Sequence, residues 1–192
     1  PGTKLPSLGQ VPFAAIRDGY QAQVEGMLRG GVHGVQVETS QDLLQAKAAV
    51  IGAKRAMAAL GVDVPLLVSL TVETTGTMLV GSEIGAALVA LETLGIDVIG
   101  LNCATGPAEM SEHLRHLSRH ATIGVSCMPN AGLPELTAQG ARYPLGPDAL
   151  AQALTASVDG RVVAESSTDG LAWNPFEVFA YLTTHLTLGP GD

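Results

Sequence analysis

The strongest constraint on this chain's fold is an alternation. Apolar runs predict strands over 34–38, 64–72, 96–102, 122–128 and 161–164, and between them lie segments with apolar residues at helical spacing, over 41–60, 81–94, 107–120 and 148–157. A further helix is predicted over 11–29, closed by the Gly30-Gly31 pair, and 175–188 closes the chain. The runs finish on or next to polar residues, Glu38, Glu73, Cys103, Asn130 and Glu165, which recur about every 30 residues, the length of one βα unit. Near-continuous apolar strands joined by helices imply a parallel sheet covered by helices, with right-handed crossovers. Polar residues gathered at one end of such a sheet are how a barrel of βα units builds an active site. The fold class is therefore α/β of the (β/α)₈ TIM-barrel type. With 192 residues, fewer than the roughly 250 of a complete barrel, the chain is expected to be a single, partial barrel domain of the later βα units, incomplete at its N-terminus. Residues 151–192 read as a divergent C-terminal segment, and the Gly- and Pro-rich stretch 130–147 as a loop.

Composition narrows the partners. A formal net charge of −8, with ten scattered Lys and Arg residues, leaves no basic stripe for phosphates and argues against nucleic acid or anionic membrane. No uninterrupted apolar run is long enough to suggest a membrane span, and no signal segment opens the chain, so a cytoplasmic location is expected. Two cysteines, Cys103 and Cys127, are too few for a disulfide framework and are expected to be reduced. Cys103 sits where a strand gives way to a helix, a place from which a thiol can project into a pocket and bind metal. Cys127 lies inside its strand and reads as packing.

Two other groups carry weaker signals. His113, His116 and His120 have the spacing of a metal-chelating helix face, but their interleaving with Glu112, Arg115, Ser118 and Arg119 reads as an outer, solvated face. Gly76, Gly81 and Gly85 lack the Lys-Ser/Thr of a P-loop and the spacing of a dinucleotide fingerprint, and read as a flexible βα loop.

The segments Val37-Glu-Thr39, Glu73-Thr-Thr-Gly-Thr-Met-Leu79, Gly100-Leu-Asn-Cys-Ala-Thr-Gly-Pro107 and Pro129-Asn-Ala-Gly-Leu-Pro134, in this order and spacing, resemble the homocysteine-binding domain of cobalamin-dependent methionine synthase, over about residues 1–150. The resemblance implies a (β/α)₈ barrel that moves a methyl group from methylcobalamin, held on a separate domain, to the sulfur of homocysteine. It also implies a longer parent with cobalamin- and folate-binding domains.

A free thiol with a pKa near ~8.5 is only slightly ionised at neutral pH, and zinc held by three thiolates, with its fourth position open, would bind the substrate sulfur deprotonated. The resemblance places one zinc ligand at Cys103 and the other two in an adjacent Cys pair, where this chain carries Ser166 and Ser167. Neutral hydroxyls are poor zinc ligands beside thiolates. It further implies that Glu73 and Asn130 bind the homocysteine amino group, with Glu38 lining the same mouth. Two alternatives stand beside this reading. One is a non-catalytic remnant or interaction module that has lost the Cys pair. The other is a metal-free barrel enzyme for small acids that uses Glu73 as base. Exposed barrel edges are also expected to favour self-association.

Overall fold

A computed structural model of the protein describes residues 5–138 and 140–155. The predicted strand at 161–164, its end at Glu165, the pair Ser166 and Ser167, and the closing segment 175–188 lie outside these residues.

The four remaining predicted strands are present: β1 (Val35–Ser40), β2 (Leu66–Leu70), β3 (Val98–Asn102) and β4 (Gly124–Met128). They form one parallel sheet in the order β1-β2-β3-β4. Helix α1 (Phe13–Arg29) precedes the sheet, and α2 (Leu43–Leu60), α3 (Ile84–Glu92) and α4 (Pro107–His120) provide the crossovers. After β4 come two short antiparallel strands, β5 (Glu135–Thr137) and β6 (Gly140–Arg142), and helix α5 (Pro147–Thr155). This hairpin falls in the stretch expected to be a loop. Its strands are three residues each and wholly exposed, too short to show an alternating pattern.

Consecutive strand order with crossovers of one hand sends every connecting helix to the same side of the sheet. The core follows that rule. Val35 and Val37, Leu66, Val68 and Leu70, and Ile99 and Leu101 share one face by register and join residues of α1 to α4 in a single apolar cluster. The opposite face carries Leu67 and Val98 at one end and, further along, the small and polar row Ser69, Gly100 and Ser126. Gly100 is required there, because a Cβ would collide with the side chain of Ser126 and would come within 2.8 Å of its carbonyl oxygen. Among the described residues, β1 and β4 are the edge strands of this sheet.

Helix α2 is built for close approach. Ala46, Ala49, Ala53 and Ala56 are fully buried, and Gly52 lies against the backbone of Arg17 and Gln21 in α1. Asp42 caps the helix, accepting from the Leu44 N–H at 2.8 Å and from the N–H and hydroxyl of Ser7 at 2.9 and 2.6 Å. Among the described residues no helix is long and apolar enough to cross a membrane.

Candidate active site at the strand C-termini

The sheet's C-terminal end is organised around one buried amide. Asn102, the last residue of β3, is 1 % exposed. Its Oδ1 accepts from the Ser69 hydroxyl of β2 at 2.9 Å and from the Thr39 N–H of β1 at 3.3 Å. Its Nδ2 donates to Thr39 Oγ1 at 2.7 Å and to Cys103 Sγ at 3.1 Å. A backbone N–H can only donate, so the Thr39 contact fixes which end of the amide is oxygen. The nitrogen must then face Cys103, whose sulfur is an acceptor, an orientation suited to a thiolate or to a metal-bound sulfur.

Backbone conformation at this end is unusual. Thr39, Cys103 and Ala104 have φ values of 56°, 58° and 55°. Left-handed backbone at non-glycine residues costs about 1–3 kcal/mol each and gathers at functional sites. Thr39 lies where the pairing of β1 with β2 shifts by one residue between Val37 and Ser40, a bulge that also contains Glu38. The Cys103 loop is tied to the chain after β4: the Cys103 N–H donates to the Met128 carbonyl at 3.2 Å, and the Asn130 N–H to the Thr105 carbonyl at 3.1 Å. Gly106 packs on Gly132, since a Cβ at Gly106 would come within 2.8 Å of the Gly132 Cα.

The expected site residues can now be placed. Cys103 is half-buried at the end of β3, and Asn130 is half-buried on the segment bonded to its loop. Glu38 is exposed in the β1 bulge. Glu73 does not end β2 as expected: that strand stops at Leu70, and Glu73 opens the following loop. The apolar run continues through Val72, but after one last bond to β1, from the Thr71 N–H to the Ser40 carbonyl at 3.0 Å, the backbone turns onto its own loop, the Glu73 N–H donating to the Thr77 carbonyl at 2.9 Å. That loop is self-bonded, with further turns closed by Gly76 on Glu73 and Gly81 on Met78, and it is pinned by Met78, 1 % exposed. Gly85 belongs to helix α3, where it makes room for the His116 ring.

The helix face of His113 and His116 is likewise not wholly solvated. Both are half-buried and line a groove with Thr75, Thr77, Glu83 and Ile84, because α3 and α4 lie side by side. Burial draws the His113 imidazole below its usual pKa.

Thr39, Ser69 and Asn102 were not singled out as site residues from sequence. The available signal was a Ser inside the apolar run Leu66-Leu-Val-Ser-Leu70 and an Asn closing the next one.

Cys127 shares the helix-facing side of the sheet with its register partner Leu101 and packs against the core. Burial pushes its thiol up to about 11. It therefore cannot join Cys103 at the mouth. Among the described residues, no group of three His, Cys, Asp or Glu side chains could hold a metal ion, so zinc does not fit the described donor set alone.

A family model for homocysteine S-methyltransferase matches residues 1–170. The chain belongs to the homocysteine S-methyltransferase family. Curated relatives within reach include the methionine synthase of Mycobacterium tuberculosis (strain ATCC 25618 / H37Rv), 68% identical over 154 residues, which is 80% of this chain and 13% of that protein. The methionine synthase of Mycobacterium leprae (strain TN) is 67% identical over the same length and shares. The chain thus spans a small part of the length of these relatives. Of the residues that the resemblance singles out, Glu73, Cys103 and Asn130 lie just past the C-terminal ends of β2, β3 and β4, and Glu38 lies in the bulge two residues before the end of β1.

Proposed function

We propose that this chain is the homocysteine-binding part of a methionine synthase, acting as a homocysteine S-methyltransferase within a longer protein. Its four described βα strands are taken as part of a (β/α)₈ barrel whose mouth is the strand end that carries Cys103. The observation that carries this reading is the placement of Cys103: half-buried at the end of β3, with its sulfur oriented as an acceptor by the buried Asn102, in a chain matched by the family model over residues 1–170.

In this reading the mouth binds homocysteine through Glu73 and Asn130, a carboxylate and an amide oxygen suited to an ammonium group, with Glu38 at the rim. Zinc, when bound, would hold the substrate sulfur in its thiolate form, and Cys103 would be one of its protein ligands. The positions of the remaining two ligands are assigned to Ser166 and Ser167. Among the described residues Cys103 is the one thiol at the mouth, and no group of three His, Cys, Asp or Glu side chains there could hold a metal ion. The methyl group would come from methylcobalamin on another domain, and the folate site would lie elsewhere in the parent. Cytoplasmic location and self-association through β1 and β4, the edge strands among the described residues, belong to the same proposal.

The whole chain contains two cysteines, one of them packed in the core. That count favours a second reading, a non-catalytic remnant that retains the mouth but not the metal.

Elemental analysis of the purified chain tests both. Well under one zinc per molecule in the parent chain, with about one in the Ser166→Cys/Ser167→Cys variant, would locate the lost ligand positions and favour the second reading. Zinc near one in the parent would show other ligands and support an active site as it stands. No zinc in either protein would overturn the assignment of the ligand positions. Homocysteine binding by the double variant but not by its Glu73→Gln form would support the substrate contacts.

A further inference from the structure

Thr39 is the one β-branched residue with a left-handed backbone among the described residues, and such a conformation is an outlier for that side-chain shape. It lies in a bulge, and the bulge turns both its N–H and its hydroxyl oxygen onto the same side chain, Asn102, 63 residues away. Asn102 in turn spends its remaining capacity on the Ser69 hydroxyl and on Cys103 Sγ. All four hydrogen-bonding positions of this amide are therefore filled, and three of them are filled from β1 and β2, the strands that Cys103 does not follow.

We propose that Thr39 is a positioning residue that acts through Asn102 to fix the direction in which Cys103 presents its sulfur at the mouth. The N–H of Thr39 sets the amide's orientation, since it can meet only Oδ1. The hydroxyl oxygen of Thr39 holds one hydrogen of Nδ2, which leaves the other directed at Sγ. A bulge in β1 thereby selects a single side-chain rotamer at the end of β3. Without the Thr39 acceptor, Nδ2 has one partner instead of two, and the amide, still held at Oδ1 by the Thr39 N–H and the Ser69 hydroxyl, can swing its nitrogen away from Sγ. The proposal rests on Cys103 being the working sulfur of the site, but its test uses neither homocysteine nor metal, so the two readings fail separately.

The test is NMR of the labelled full chain in a Cys127→Ala background, reading the three-bond couplings that report Cys103 χ1 and the exchange rate of the Asn102 side-chain amide. The expected result is one dominant Cys103 rotamer and a slowly exchanging amide in the parent. Thr39→Val keeps the branched shape and removes the acceptor. It is expected to average the χ1 couplings and speed amide exchange at least tenfold, while Thr39→Ser restores both. A residue with a merely structural role would lower the melting temperature and leave χ1 unchanged. Unchanged couplings in a folded Thr39→Val protein would overturn the proposal. So would averaged couplings in the Cys127→Ala background itself, a result that does not depend on either Thr39 variant folding.

Discussion

The carboxylate of Asp42 holds Ser7 by two bonds at once, from its N–H at 2.9 Å and its hydroxyl at 2.6 Å, while capping helix α2 through the Leu44 N–H. Asp42 is fully buried, so each of these donors would lose its partner without regaining water. Asp42→Ala is expected to cost about 2 kcal/mol or more, the upper end of a lost cap, with Ser7→Ala costing about 1 kcal/mol. Urea denaturation followed by circular dichroism measures both. Equal, near-zero losses would mean that the N-terminal segment is not held by this contact.

Gly52 allows α1 and α2 to touch at backbone distance. A methyl group there would meet the Arg17 carbonyl and would stand 3.0 Å from the Gln21 nitrogen and 3.1 Å from the Tyr20 Cβ. Ala is ordinarily the better helix former by about 1 kcal/mol. Here overpacking wins, because backbone atoms cannot rotate away, and Gly52→Ala is expected to destabilise by about 1–3 kcal/mol net. A raised melting temperature for this variant would show that the two helices separate at little cost.

Cys127 gives the chain an alkaline limit. Its thiol titrates near 9.0 when exposed and is pushed up to about 11 by burial. Below pH 9 both states are protonated and the group has no pH-dependent effect. Between about 9 and 11 the unfolded chain ionises first, so stability falls as pH rises, by roughly 2–3 kcal/mol once both are ionised. Comparing urea midpoints at pH 8 and pH 10.5 should show this loss in the parent and a smaller loss in Cys127→Ala. In the native state at pH 8, a thiol reagent is expected to modify Cys103 and to reach Cys127 only on unfolding.

Thr71 Oγ1 is buried and has no hydrogen-bond partner among the described residues. Replacing an unsatisfied hydroxyl by a methyl group of the same shape removes a desolvation cost, so Thr71→Val is expected to be neutral or stabilising by about 1 kcal/mol. A thermal melt decides it. A clear loss of stability would reveal a partner for this hydroxyl.

The order of strands and helices was legible in the sequence because each element carries its own period, and so was the place of Cys103, where an apolar run gives way to Pro107 at the first turn of α4. Element ends were less legible. Val72 and Glu73 continue the pattern of β2, yet pairing partners, not apolarity, end a strand, and β2 runs out at Leu70. The amide hub was not legible at all. Its members are separated by 63 and 33 residues, and nothing local marks Thr39 as the site of a bulge. The partners proposed for zinc were legible only as a pair of serines in a place where the family resemblance implies cysteines.

Each strand of the sheet pairs with the one just before it in the chain, β2 with β1, β3 with β2 and β4 with β3. A newly made unit therefore always finds its docking edge already in place, and no strand has to wait for a distant one to complete its ladder. Loop closure then spans one βα unit at a time, which keeps the entropy cost of each step small. A sheet wound in this order suits stepwise assembly, since every bond that Asn102 makes to another strand comes from β1 or β2 and the hub can close before β4 docks.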